Sequence, residues 1–218
     1  MRKIILTLFL IFFGTLPQAK AQAQAYRMVV VGDSLSAGYN LSPKDAFYTQ
    51  LEAALKAKGY NIVVESQSRS GETANGGRGR MKTIMEQRPS VVILELGIND
   101  AFRRVPVENI NKNLESMIET FLHNNVPVLL VGMQAPPNMP GSYQKDFTNM
   151  YKNLAKKHDL ILYPFFMEGI ISKKNLLSGG SPYLLDDMVH PSAEGVKVMV
   201  KNILPTVEKF LKRHGIRN

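Results

Sequence analysis

The chain has 218 residues, 27 Lys and Arg against 18 Asp and Glu, a formal charge of +9, and no cysteine. That length carries one α/β domain with a substantial core, and the missing thiols exclude disulfides and lipid attachment through cysteine. The basic residues are scattered, and the densest patches, GGRGR at 76–80 and the terminal KFLKRHGIRN, lack interleaved aromatics or a recognition-helix pattern, so no nucleic-acid partner is expected.

Residues 1–25 read as a secretory signal. Arg2 and Lys3 precede an apolar run over 4–13, and small-x-small cleavage points follow, after Ala21, Ala23 or Ala25. The run is shorter than the roughly 20 residues of a membrane span, so cleavage rather than stable anchoring is expected, with the product exported to a periplasm or beyond the cell. Losing Arg2, Lys3 and Lys20 with the segment leaves +6 on residues 26–218, which read as a single domain.

Within that domain, five β-rich runs alternate with helical patterns. The strands are expected at 28–32, 60–65, 91–96, 127–131 and 160–163, short and largely unalternated, as in strands buried on both faces. Helical spacing covers 44–58, 74–87, 107–124, 143–158 and 192–213, the last with a kink expected at Pro205. Strict alternation predicts a parallel sheet with right-handed crossovers and helices on both faces. In such sheets the functional crevice lies beyond the carboxyl ends of the strands.

The first three of those ends, GDSLS, SQSRSGET and LGINDAF, are dense in Ser, Gly, Asn and Asp. Ser34 follows a buried strand and opens the next helix, so its hydroxyl and its N–H reach the same space. One Asp-Ser at a strand end is most often a turn or a cap, and a serine nucleophile needs a base. Of four histidines, His123 and His158 suit helix C-termini and His214 the basic tail; only His190 sits in a loop, within LLDDMVHPSAEG. Asp187, three residues before it, has the spacing to take the Nδ1 hydrogen and leave Nε2 as base; Asp186 is the rival partner. Gly71 can bring a bare N–H to a substrate oxygen, and the Asn99 amide can donate from the side, which supplies oxyanion donors. Asp33 and Asp100 read as turn-holding residues that orient Ser34 and Asn99.

The blocks GDSLS, SGET, GIND and DDMVHP, in this order and approximate spacing, resemble those of the SGNH (GDSL) hydrolases, and most closely the periplasmic thioesterase I, lysophospholipase and arylesterase type. The resemblance runs from about Val29 to the last helix. It implies a flavodoxin-like three-layer α/β/α fold with a five-stranded parallel sheet, Ser34 as nucleophile, Asp187 and His190 as its acid–base pair, and Ser34, Gly71 and Asn99 as the oxyanion hole. Ile98 stands where such proteins often have a second glycine, a departure that bears on the flexibility or the crowding of the loop beside Asn99.

The activity expected is hydrolysis of acyl or aryl esters, with acyl thioesters and lysophospholipids as further substrates. A carbohydrate or cell-wall O-deacetylase on the same triad is the alternative, and a catalytically silent binding protein the rival from another class. Phe102, Pro136 and Tyr143 are expected to wall the crevice against an acyl or aryl group; Arg103 and Arg104 read either as contacts for an anionic head group or as solvated surface arginines. The scattered histidines form no ligand cluster, so neither metal nor other cofactor is expected. No partner protein is implied.

Overall fold

The computed structural model describes residues 24–171 and 181–218. Residues 1–23, which hold most of the expected signal and the cleavage points after Ala21 and Ala23, lie outside the described residues. Five strands form one parallel sheet: β1 (Tyr26–Val31), β2 (Ile62–Ser66), β3 (Val91–Leu94), β4 (Val128–Val131) and β5 (Ile161–Tyr163), in the order β2-β1-β3-β4-β5. This is the flavodoxin-like order, and its switch point lies between β1 and β3, where crossovers leave in opposite directions and open a crevice.

The apolar runs explain which strands are central. Every residue of β3 and β4 is buried, as are Met28 to Val31 of β1. Both faces are covered, so the period-2 pattern disappears. The edge strand β2 departs from that expectation: Ile62 and Val64 are buried while Val63 is exposed, because only one face is fully packed.

Helices α2 (Phe47–Ala57) and α8 (Ala193–Arg213) pack together on one side of the sheet. Helices α3 (Ala74–Gly79), α6 (Val107–His123) and α7 (Gly141–Lys157) form the other layer. Helix α6 buries Ile110, Leu114, Met117, Ile118 and Phe121, one stripe at helical spacing.

Two helical expectations are corrected. The pattern over 44–58 divides into a 3₁₀ turn (Pro43–Asp45) and α2, because Ala46 is extended between them (φ −68°, ψ 150°) and buried against Gly38. The pattern over 74–87 divides into α3 and α4 (Met81–Glu86) at Arg80, whose side chain turns back to Glu72 and the Gln67 carbonyl. At the other end of the chain, α8 continues through Pro205. That residue is exposed, so the carbonyl that loses its partner faces water.

Candidate active site

The turn that carries Ser34 is built by close packing. Gly32 follows β1, and a Cβ there would lie 2.5 Å from Ser36 Oγ and 2.7 Å from Glu95 Oε2, so only glycine lets the strand turn here. Asp33 caps the four-residue helix α1 (Ser34–Ala37), its Oδ1 accepting the Leu35 N–H at 3.0 Å. Gly38, at φ +80°, ends that helix after one turn. Ser34 is thereby held at the mouth of the switch point, 8% exposed.

Behind the turn lies an acid that the sequence reading passed over. Glu95 directly follows the wholly apolar β3, is fully buried, and its Oε2 accepts the Ser36 hydroxyl at 2.5 Å and the Asp33 N–H at 3.4 Å. Its Oε1 has no hydrogen-bond partner. Burial, reinforced by the nearby Asp33 charge, pushes Glu95 well above the usual carboxylate range. Burial also raises Asp33, to about 7, opposed by its bonds from Leu35 and Asn99. The bonds that Asp33 accepts from Leu35 and Asn99 favour its ionised form, and of the two acids Glu95 is the more strongly raised.

The second half of the site is a short loop before α8. An isolated bridge joins Leu184 to Pro191, and the Leu185 N–H donates to the His190 carbonyl at 2.8 Å. Met188 takes a left-handed conformation (φ 57°) that folds the loop back. Inside it, Asp187 Oδ1 accepts the N–H groups of Val189 and His190, both at 2.9 Å, while Oδ2 lies 2.7 Å from His190 Nδ1. His190 Nε2 lies 2.9 Å from Ser34 Oγ, 156 residues away in the chain. A hydrogen on Nδ1 satisfies both ring contacts and leaves Nε2 to accept from the serine. Desolvation pushes the Asp187 carboxyl up, but the bonds from the His190 N–H, the His190 ring and the Val189 N–H outweigh it and hold the group below its ordinary range. Asp186 lies exposed beside it. The Tyr39 ring, also absent from the sequence reading, covers His190 at 4.3 Å between centroids.

The expected oxyanion donors sit on neighbouring turns. Gly71 has φ +76°, which a side chain would strain, and the Arg69 N–H ties its turn to the Gly32 carbonyl at 3.0 Å. Asn99 lies in α5 (Ile98–Phe102), a short helix that the sequence pattern did not disclose. One of its amide hydrogens is donated to Asp33 Oδ2 at 3.1 Å, which orients the group and leaves the second hydrogen to serve a ligand. Asp33 thus fixes both turns, through Leu35 on one and Asn99 on the other. Asp100 is buried and accepts the Ala74 N–H at 2.8 Å; burial raises it, against that bond. Arg103 donates to the Gly71 carbonyl at 3.1 Å.

The expected wall residues have different surroundings. Phe102 presents its ring to solvent, and Pro136 is half-buried. Tyr143 stacks on Phe147 and donates its hydroxyl to the Val105 carbonyl at 2.8 Å, so it braces the loop between α5 and α6. Glu115, Glu119 and His158 bring potential metal-ligand atoms within 4.8 Å of one another. Glu115 is already paired with Lys157 and His158, at the end of α7 that leads into β5, away from Ser34.

A hydroxyl, an imidazole and a carboxylate in hydrogen-bonded sequence, at the switch point of a flavodoxin-like sheet, define a serine hydrolase of the three-layer α/β/α class. The model of the GDSL-like Lipase/Acylhydrolase family matches residues 30–198, and the chain belongs to that family. It is similar to the arylesterase of Vibrio mimicus, 32% identical over 209 residues that cover 95% of this chain and all of the relative. To the thioesterase 1/protease 1/lysophospholipase L1 of Escherichia coli K12 it is 30% identical, over 85% of this chain and 86% of the relative. A crystal structure of TesA superposes with a TM-score of 0.77 at 32% identity, covering 85% of this chain and 99% of that one. The chain is a carboxylic ester hydrolase of this family.

Proposed function

We propose that the protein hydrolyses acyl and aryl esters, and acyl thioesters, through an acyl-enzyme on Ser34. The observation that carries this reading is the unbroken relay from Ser34 Oγ to His190 Nε2 at 2.9 Å and from Nδ1 to Asp187 at 2.7 Å. His190 takes the serine proton as Oγ attacks the carbonyl carbon. The oxyanion is held by the N–H groups of Ser34 and Gly71 and by the free Asn99 amide hydrogen. His190 returns the proton to the leaving alcohol or thiol as the C–O or C–S bond breaks. Water then attacks the acyl-enzyme by the same route and releases the acid and free Ser34. Every step uses groups of this chain.

The test is a panel of 4-nitrophenyl esters and acyl thioesters of increasing chain length, with Ser34→Ala as control. Turnover by the wild type, abolished in Ser34→Ala, is expected; equal inertness of both on every substrate would sink the reading. A strong preference for acetyl over medium chains would point to the deacetylase. The basic start and apolar run at the N-terminus support export, with removal of the segment. Among the described residues no helix is long and apolar enough to cross a membrane. N-terminal sequencing of the exported protein, expected to begin at residue 22, 24 or 26, checks this.

A further inference from the structure

Gly71 can serve an oxyanion only if its N–H stays free and keeps its place. The turn that carries it leaves that group free. The Glu72 N–H donates to the Arg69 carbonyl at 3.0 Å, with Gly71 at the third position and φ +76°, the pattern of a type II turn. The middle peptide of such a turn, here Ser70–Gly71, is not used in closing it, and among the described residues the Gly71 N–H has no acceptor. A donor of this kind must be held to within about 0.5 Å to act on a transition state, and a surface turn beyond an edge strand has little packing to hold it.

Arg80 supplies a restraint from outside the turn. Its Nη2 donates to the Gln67 carbonyl at 2.9 Å and lies 2.6 Å from Glu72 Oε2, while its Nε donates to that same carboxylate oxygen at 2.7 Å. One planar, rigid group therefore joins Gln67, ahead of the turn, to Glu72 at its end. Gln67 is itself anchored, because its N–H donates to the Val30 carbonyl of β1 at 2.8 Å. The fixed point is thus the strand that ends in Ser34. From the other side Glu72 lies against Gly76 of α3, where any side chain would collide with its Oε1.

The pair is costly for a mere filler of space. The two side chains are only 12% and 11% exposed, and Arg80 Nη1 is buried with no hydrogen-bond partner. Ion pairs taken out of water add little stability over apolar residues of the same volume, and what they do supply is a defined geometry. The break between α3 and α4 falls at Arg80 itself, which turns the guanidinium back toward the Gly71 turn. We propose that Arg80 and Glu72 are positioning residues for the oxyanion hole, their ion pair clasping the turn so that the Gly71 N–H meets the oxygen on which charge develops. The proposal rests on the reading of Gly71 as an oxyanion donor.

The test uses two variants close in size to the wild type. Glu72→Gln removes the charge and keeps the shape; Arg80→Lys keeps the charge, but one ammonium cannot span Glu72 and Gln67 as the planar fork does. Each should lower kcat on 4-nitrophenyl butyrate about tenfold and leave KM within about twofold, because the donor acts mainly in the transition state. The double variant should fall no more than about twofold below the worse single one, since both changes open the same clasp. A second readout is inhibition by an alkyl trifluoromethyl ketone, whose carbonyl carbon takes Ser34 Oγ and whose oxygen becomes an oxyanion, against the matching trifluoromethyl alcohol. The ketone should bind about tenfold more weakly to each variant and the alcohol equally well, whereas a general loosening would weaken both. Unchanged kcat in both single variants, wild-type activity in Arg80→Lys, or equal weakening of ketone and alcohol overturns the clasp. If Asn99→Ala weakens the ketone and the two variants do not, the clasp alone falls. If none of the three weakens it, the oxyanion-hole reading and the clasp fall together.

Discussion

Asp187→Asn perturbs the relay with almost no change in shape. In the protein, Oδ1 accepts two backbone N–H groups at 2.9 Å and Oδ2 faces the ring nitrogen at 2.7 Å. An amide can keep its oxygen on the two N–H groups, in which case its NH2 faces His190 Nδ1. The ring must then carry its hydrogen on Nε2, pointed at Ser34, and the base is blocked. The flipped amide restores the ring contact but sets NH2 against both backbone donors. Losing two backbone bonds costs about 2 kcal/mol, so the productive arrangement is disfavoured roughly 30-fold. Removing the negative charge beside the forming imidazolium adds about 1 kcal/mol, a modest figure because Asp187 is two-fifths exposed. Together these lower kcat by roughly 10²-fold, against about 10⁴-fold or more for Ser34→Ala. The Asp187 carboxyl lies below its ordinary range, so it is ionised throughout a neutral assay. Steady-state hydrolysis of 4-nitrophenyl butyrate measures the loss. A change of less than about threefold, or a larger loss in Asp186→Asn, would refute the assignment.

Asn99→Ala removes one of the proposed oxyanion donors and should lower kcat by about 10²–10³-fold with little change in KM; a fall confined to KM would mean the amide binds ground state only. Glu95→Gln tests the buried acid through stability. Its folded-state affinity for protons exceeds that of the unfolded chain, so the wild type should lose stability relative to the variant as pH rises above the ordinary glutamate value of 4.5. Urea unfolding from pH 5 to 8 reads the slope, and parallel curves would show that Glu95 is ionised in the fold. Gly195→Ala would put a Cβ 2.0 Å from the Tyr183 carbonyl oxygen, at the base of the His190 loop. Backbone must move, at about 2 kcal/mol, which corresponds to a Tm lower by about 4–8 °C. An unchanged Tm would show that the loop gives way freely.

Much of this architecture is legible without coordinates because it rests on local physics. Continuous apolar runs at 91–94 and 128–131 announce strands covered on both faces, and the alternation with helical spacing dictates parallel crossovers. The single histidine in a loop, three residues after an aspartate, marks the proposed base because hydrogen-bonding reach within a short loop is itself local. The sequence by itself therefore determined the fold class, the serine at the end of β1 and the Asp–His segment before α8. Only the tertiary structure decided how these meet. The 2.9 Å contact between His190 and Ser34 depends on the docking of α8 and on the bridge that pins its preceding loop. Between Asp187 and Asp186 the choice came from the loop's folding at Met188. The breaks at Ala46 and Arg80 answer to Gly38 and Glu72, partners that no helical periodicity encodes. Glu95 is the sharpest case: as a letter it is one acid at the end of a strand. Its burial under Gly32 and its hold on Ser36 exist only once β1 and β3 lie side by side.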